Sequence, residues 1–323
     1  MNKKKLFIYP QARQHDHDSV DKYVNTVPMS RMGIDKHFVL STAKEADYFY
    51  MGQFNNDRGD LARLRPEHFS HMPGNETRHI CDIEGEGGFE ASNRSPIPEW
   101  LHNSVVTTMG PLKTYSNIEC LFTRPTFSHL LMDIITGEDE IFEFPSEVSF
   151  GFRGFLNHRI RAMMVHSLHN SDFKKELHIN RVWSGTSEAG SKNQLDYINT
   201  MENNLISLCP RGSGIDSVRL VETCYYRRVP VLISDNDYYL VGEDTKNLDF
   251  VFRIVGNDLT PERLRVKLDE IYRTPMRELQ DRADAARKYF DTTIRDYFSD
   301  PTRYFLEWLA GKQQTLLVGD KND

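Results

Sequence analysis

The sequence predicts an α/β protein of two domains, each built on a parallel sheet layered with helices. Three observations carry that expectation. Short apolar runs alternate with longer helical patterns, which argues for α/β layers rather than a sandwich. A chain of 323 residues suits two domains of about 150 residues each. Apolar residues make up 39% of it, enough for two buried cores.

The elements follow in order. Leu6–Tyr9 reads as the first strand, Asp47–Gly52 as the second, His79–Ile83 as the third and Val105–Thr108 as the fourth. Each runs into a loop carrying Gly, Pro, Asp, Glu or His. In an open parallel sheet such loops lie at the carboxyl ends of the strands, where ligands bind. From about Phe122 to Pro145 the pattern is irregular, with Arg124-Pro125 and Thr136-Gly137 as turn signals. The boundary is placed there, giving domains over 1–145 and 146–275.

The second half repeats the alternation. Strands are expected at Val148–Phe152, Leu205–Cys209, Val229–Ser234 and Phe250–Val255, with helices at Asn157–Leu168, Leu195–Asn203 and Ser217–Arg228. The tail, 276–323, reads as helical. Met276, Leu279, Ala283, Ala286, Phe290, Ile294 and Phe298 recur at steps of three and four, one stripe of an amphipathic helix. Pro275 and Pro301 stand where helices can start. Packing across both domains, rather than a coiled coil, is the reading taken for that stripe.

Charge narrows the partners. With 40 Lys+Arg against 47 Asp+Glu, the net charge is −7, which argues against a general nucleic-acid binder. Any anion site must be a local basic pocket in an acidic protein. Lys3–Lys5 looks like the start of a signal peptide, but the apolar run stops at Pro10, short of the ~7–15 residues such a segment needs. No stretch reaches the roughly 18 apolar residues of a membrane span, so a cytoplasmic protein without a membrane span is expected. The cysteines (Cys81, Cys120, Cys209, Cys224) form no CxxC pair, and buried thiols are the default.

The most informative stretch runs from Asn204 to Thr223. An apolar strand ends at Cys209, and a Pro-Arg-Gly-Ser-Gly loop leads into a helix with Asp216 or Ser217 as candidate N-cap. Glycines such as Gly212 let the backbone approach a ligand, and exposed helix amides beside an arginine make an anion site. Arg211 and Arg219 offer fork-shaped donors suited to phosphate oxygens. Glu222 falls in the first turns of that helix, where its carboxylate is placed to accept bonds from vicinal hydroxyls, as acidic residues do for a ribose.

The segment Leu208–Asp235 resembles the exostosin family of glycosyltransferases (family 47), whose members carry a signature like CPRGSGIDSVRLVE…PVLISD. Ser149-Phe150-Gly151-Phe152-Arg153-Gly154, followed by Arg159-Ile160-Arg161, resembles the family's FRG strand and next helix. Tyr197–Met201 resembles the helix before the signature strand. The likeness spans roughly Val148 to Leu240, and the first half matches only through strand order and a Gly/acid loop.

The resemblance implies a GT-B fold: two Rossmann-like domains facing each other across a cleft, donor in the C-terminal one, acceptor in the N-terminal one. The C-terminal helices would pack back on the N-terminal domain, and closure of the two would bring donor and acceptor together. It implies an inverting hexosyl- or pentosyltransferase that takes a UDP-sugar and a glycan or oligosaccharide acceptor. Arg153, Arg159, Arg161 and Arg211 would lie near the diphosphate, with Gly212, Ser213, Asp216, Ser217 and Arg219 in the same cradle and Glu222 on the ribose. Eukaryotic members are typically anchored in Golgi membranes. This chain lacks such an anchor, which points to a bacterial or viral enzyme.

Asp235-Asn236-Asp237 looks like a metal-binding DxD, yet GT-B sites usually neutralise the leaving diphosphate with arginines and helix amides. No metal and no cofactor are therefore expected, and Asp235 is read as lining the cleft by the sugar. Inversion needs a base on the face opposite the departing diphosphate. The loop Asp82-Ile83-Glu84-Gly85-Glu86 is the best candidate, with Glu86 preferred to Glu84 and Asp82 on the same side of the strand. His15-Asp16-His17-Asp18 is a second candidate, as a His–Asp base or an acceptor contact. Trp183 offers a face to base or sugar, with core packing equally open. His158, His166, His169 and His178 are read as solvated or satisfied in the core. The competing class is a non-catalytic partner that keeps the fold and binds nucleotide or glycan. A phosphate-binding kinase is discounted for want of a GxxxxGK[ST] loop.

Overall fold

The computed structural model describes residues 3–9, 34–55, 65–84, 99–108, 120–123, 142–169, 171–179, 188–212, 217–235, 239–241 and 243–319. The chain divides into two compact units. The first comprises Met1–Arg124, Leu240–Gly242 and Asp296–Asp323; the second comprises Pro125–Tyr239 and Glu243–Arg295.

The first unit is built on a six-stranded sheet of β1 (Lys4–Ile8), β2 (Phe38–Leu40), β3 (Tyr48–Asn55), β4 (His79–Glu84), β5 (Val105–Thr108) and β6 (Cys120–Thr123). Every pairing is parallel and the order is β2-β1-β3-β4-β5-β6. Tyr48, Phe49, Tyr50 and Met51 are buried in succession, as are Val105 and Val106. Such continuous burial marks central strands covered on both faces. The two strands that the sequence pattern does not predict, β2 and β6, are the sheet's edges. β2 is three residues long with Val39 and Leu40 exposed, and β6 ends inside the stretch whose pattern reads as irregular. Short edge strands give little periodic signal.

The last helix belongs to this first unit, whereas the helix Met276–Tyr289 belongs to the second. The helix Pro301–Gly319 packs on β6, and Phe122 meets the rings of Tyr297, Phe305 and Trp308. Asp300 caps that helix through the Arg303 amide at 3.1 Å and accepts a bond from His37 Nε2 at 2.7 Å.

In the second unit five parallel strands, β7 (Phe150–Gly154), β8 (Lys175–Ile179), β9 (Ile206–Pro210), β10 (Val229–Ser234) and β11 (Phe252–Val255), are ordered β11-β10-β9-β7-β8. Its core joins Phe150, Phe152, Leu208, Val231 and Ile233 to Ile160 and Met164 on the helix Arg159–His169 and to Leu264 and Leu268 on the helix Pro261–Tyr272. β8, Lys-Glu-Leu-His-Ile, is unpredicted because it is a polar edge strand. Gly151 is a close-approach position. A Cβ there would stand 2.8 Å from the Asn204 Cβ and 3.0 Å from the Thr200 carbonyl, so β7 and the helix Glu188–Asn203 meet without a side chain between them.

Counted from its own first strand, the first sheet has the order 2-1-3-4-5-6 and the second 2-1-3-4-5, the same doubly wound pattern of Rossmann-like folds. The two-domain α/β class expected from the sequence is the one observed. In that pattern the strand order reverses between the first and third strands, and ligands bind beyond their carboxyl ends. The reversal falls between β1 and β3 in one unit and between β7 and β9 in the other.

One buried cation organises the second unit. Arg228, 2% exposed, donates to the carbonyls of Met201, Glu202, Tyr226 and Arg227. These include carbonyls from the last turn of the helix Glu188–Asn203, which its own ladder cannot satisfy. Burial lowers its pKa to about 10, so it remains charged at neutral pH.

The tail stripe of Leu279, Ala283, Ala286, Phe290 and Ile294 is fully buried. The helix Met276–Tyr289 passes through a π turn, Phe290–Ile294, into a short helix, Arg295–Ser299. Beyond that turn Tyr297, not Phe298, takes the buried position. Cys81, Cys209 and Cys224 are buried free thiols. Among the described residues no helix is long and apolar enough to cross a membrane.

Candidate functional site

The sheet order of the second unit decides which residues meet. β7, β9 and β10 end at Gly154, Pro210 and Ser234, so Gly154–Arg159, Arg211–Gly212 and Asp235 leave the sheet at one edge. The helices Arg159–His169 and Val218–Tyr225 start from the same edge, so the positive ends of their dipoles face it.

Asp235 is the hub. Its carboxylate, with only 7% of the side chain exposed, accepts from the Arg211 guanidinium at 2.6 Å and from Arg159 at 3.3 Å, and lies 3.9 Å from His158 Nε2. Burial alone would raise the Asp235 pKa, but the bond and charge of Arg211, aided by Arg159 and His158, hold it below the ordinary 3.8. His158 caps its helix: Nδ1 accepts from the Ile160 amide at 3.3 Å, which leaves the neutral ring's proton on Nε2, facing Asp235. Burial first and the charge of Arg211 second push the His158 pKa below 6.5.

Arg161 supports this hub from the loop side. Its Nε donates to the Arg211 carbonyl and a terminal nitrogen to the Phe155 carbonyl, both at 3.1 Å. Gly212 is required by that approach. A Cβ there would fall 2.7 Å from an Arg161 terminal nitrogen, closer than real Cβ contacts come. Burial, and then the neighbouring charge of Arg219, lower the Arg161 pKa to about 10.

Arg219 forms a second group. It donates to the Tyr197 hydroxyl at 3.2 Å, to the Leu208 carbonyl at 3.3 Å and to the Arg153 carbonyl, and it lies over the rings of Phe152 and Tyr197 at 4.5 and 5.0 Å. Tyr197 in turn donates to the Glu222 carboxylate, and burial pushes the Tyr197 pKa well above 10. Arg153 turns to Asp196 at 2.7 Å, and its buried Nε has no hydrogen-bond partner among the described residues. A Cβ at Gly154 would touch both Arg219 and Arg161, at 3.5 and 3.6 Å, so that glycine links the two groups. Among the described residues, five arginines (153, 159, 161, 211, 219) against three carboxylates (196, 222, 235) leave the edge with two surplus positive charges. In an acidic chain such a surplus, most of it drawn away from water while Arg159 stays exposed, is a place for an anion.

The structure thus gathers Arg159, Arg161, Arg211, Gly212 and Asp235 in one group and Arg153, Arg219 and Glu222 in an adjoining one. Ser217 is buried at the N-cap position but makes no side-chain capping bond. Asp82 and Glu84 lie on β4, in register with Gln53 and Asn55 of β3. Ser213, Asp216, Glu86, His15, Asp16, Trp183, Asn236 and Asp237 lie outside the described residues. Sequence reading missed Tyr197, Asp196 and the role of His158. A tyrosine and an acid on the helix before the signature strand, and a histidine directly before Arg159, were the available signals. Among the described residues no group of three or more His, Cys, Asp or Glu is arranged to hold a metal ion.

No family model and no curated protein matches the chain. Among solved structures it is similar to TarM, at 11% identity and a TM-score of 0.34 over 71% of this chain and 55% of that one. It is similar to MurG of Acinetobacter baumannii at 10% identity and a TM-score of 0.34, over 88% and 82% of the two chains. The spinosyn forosaminyltransferase SpnP gives 9% identity and a TM-score of 0.34, over 95% and 100%. This chain spans just over half the length of TarM.

Proposed function

We propose that the protein is a glycosyltransferase of GT-B type that moves a sugar from a nucleotide-sugar donor, UDP-linked, to a hydroxyl of a glycan acceptor, with inversion and without a metal. The observation that carries this reading is the surplus of guanidinium at the β7/β9 switch point, with Arg211 buried and Arg161 pressed against Gly212. Fixed, poorly solvated donors of this kind stabilise the charge that develops on a departing diphosphate, and they need no reorganisation as it departs. The resemblance of Leu208–Asp235 to the exostosin signature names the ligand class; the charge and topology of the edge are independent of it.

In this reading Arg159, Arg161, Arg211 and Arg219 take the diphosphate, with Gly212, Ser213, Asp216 and Ser217 assigned to the same cradle. Glu222, oriented by Tyr197, takes the ribose. Arg153 stiffens the end of β7 through Asp196. The base is assigned to the acids at and after the carboxyl end of β4, Glu86 before Glu84 and Asp82, and the acceptor to His15 and Asp16. Trp183 is assigned to the donor's base or sugar.

The test is calorimetry with UDP, GDP, CMP and their sugar conjugates, with and without EDTA. Metal-independent binding of UDP, lost in Arg211→Ala and Glu222→Ala, supports the donor site. Transfer lost in Glu86→Gln with UDP binding intact supports the base. Binding of no nucleotide overturns the reading.

A further inference from the structure

We propose that Asp235 is a built-in competitor for the donor's phosphates: an internal anion that holds Arg211 and Arg159 while the site is empty and weakens the binding of anionic ligands there. The inference rests on the donor-site reading above and adds to it a residue that sets affinity by opposing the ligand.

Three positive or potentially positive groups from two different stretches of chain converge on this one carboxylate. Arg211 comes from the end of β9, Arg159 from the first turn of its helix, and His158 from the cap of that helix. Arg211 is itself 3% exposed, so its charge has little water to fall back on and needs an anion. Arg159 is different: 59% of its side chain is exposed, so it can swing toward a ligand at small cost. A guanidinium has five donors in a planar fork, and a phosphate approaching Arg211 or Arg159 meets donors already engaged by Asp235. It also meets the carboxylate's charge at short range, where the low local dielectric strengthens repulsion as much as attraction. Arg161 bonds the Arg211 carbonyl rather than the carboxylate, and burial and the charge of Arg211 keep the His158 pKa below 6.5.

A residue that merely positioned Arg211 would help every ligand of the site, and its loss would weaken binding. A competitor does the reverse, and its effect grows with the ligand's charge. The experiment is calorimetry of uridine, UMP and UDP on the full chain and on Asp235→Asn, with Asp235→Ser as a second neutral variant and Asp235→Glu as a charge-keeping one. Thermal melts check that each is folded. The expected result is unchanged affinity for uridine, a small gain for UMP, and roughly tenfold tighter UDP in both neutral variants, as one short-range repulsion removed from a partly screened site would give. Asp235→Glu should give no gain. UDP that binds the wild type but binds the neutral variants equally or more weakly overturns the proposal and leaves the donor site standing. UDP that binds none of the proteins overturns both.

Discussion

The two units share a strand order and differ in what lies between their rings and charges. Around the start of β4 in the first unit, Tyr9 and His79 sit buried with Phe49 and Phe69, edged by half-buried Phe7 and exposed His71. Its polar atoms are satisfied internally. His79 Nδ1 donates to the Asn75 carbonyl at 2.7 Å, so Nε2 accepts from the Tyr9 hydroxyl at 2.8 Å, and that oxygen accepts from the His71 amide at 3.1 Å. Burial raises the Tyr9 pKa to about 12 and lowers that of His79, so both stay neutral. The corresponding polar group of the second unit is ionic and carries surplus charge. One topology therefore supports a closed neutral network in one unit and an open, charged one in the other. The second is the arrangement that gains from a ligand.

The largest effect that would break this contrast is structural. Arg228→Leu strips four carbonyls of their donor and should cost about 3–5 kcal/mol, the range for removing one member of a buried polar network. Urea titration should show it, with the first unit's transition unmoved. Next comes Arg211→Ala, which should weaken UDP binding by about a hundredfold in calorimetry, whereas Tyr9→Phe leaves UDP binding unchanged.

Gly212→Ala sharpens the contrast without removing any charge. The added methyl displaces the Arg161 guanidinium, and UDP affinity should fall about tenfold, the order of one charge-assisted hydrogen bond. Retained wild-type affinity would remove Arg161 from the site. Tyr9→Phe itself should cost about 1–2 kcal/mol in the first unit, read by urea titration.

The smallest effect is in pH. His79 is neutral in the fold because burial lowers its pKa below 6.5. The unfolded chain therefore takes up its proton first on acidification, so the His79 contribution to stability is full above 6.5 and is lost as pH falls toward the folded value. Asp235 has its pKa lowered from 3.8, so its contribution is kept until pH drops below that value. Between pH 7 and 5, His79→Gln should flatten the pH dependence of stability measured by urea titration, while Asp235→Asn should not.

Much of the second unit was legible because its signals are local. A strand, a Pro-Arg-Gly loop, a helix and a strand follow each other from Leu205 to Ser234, and spacing alone orders them. Arg211 and Arg219 could be named from that stretch. The loop at Asp82–Glu86 was legible only as a strand end bearing acids. What stayed hidden were the partners. Arg161 is 50 residues from the Arg211 carbonyl and Tyr197 is 25 from Glu222. No periodicity records such pairs.

The sequence by itself determined the class of fold, the central strands and the presence of an arginine-bearing loop at a helix start, because apolar periodicity and glycine chemistry are properties of neighbours in the chain. Only the tertiary structure decided that β9 lies beside β7 with β8 outside it. That placement brings Arg159, Arg161 and His158 to Arg211 and Asp235, and so turns scattered arginines in an acidic chain into one site. The physical reason is that hydrogen-bonded strand order, and not chain order, sets which carboxyl ends meet. Charges act on whatever lies within a few ångströms, whatever their distance in sequence.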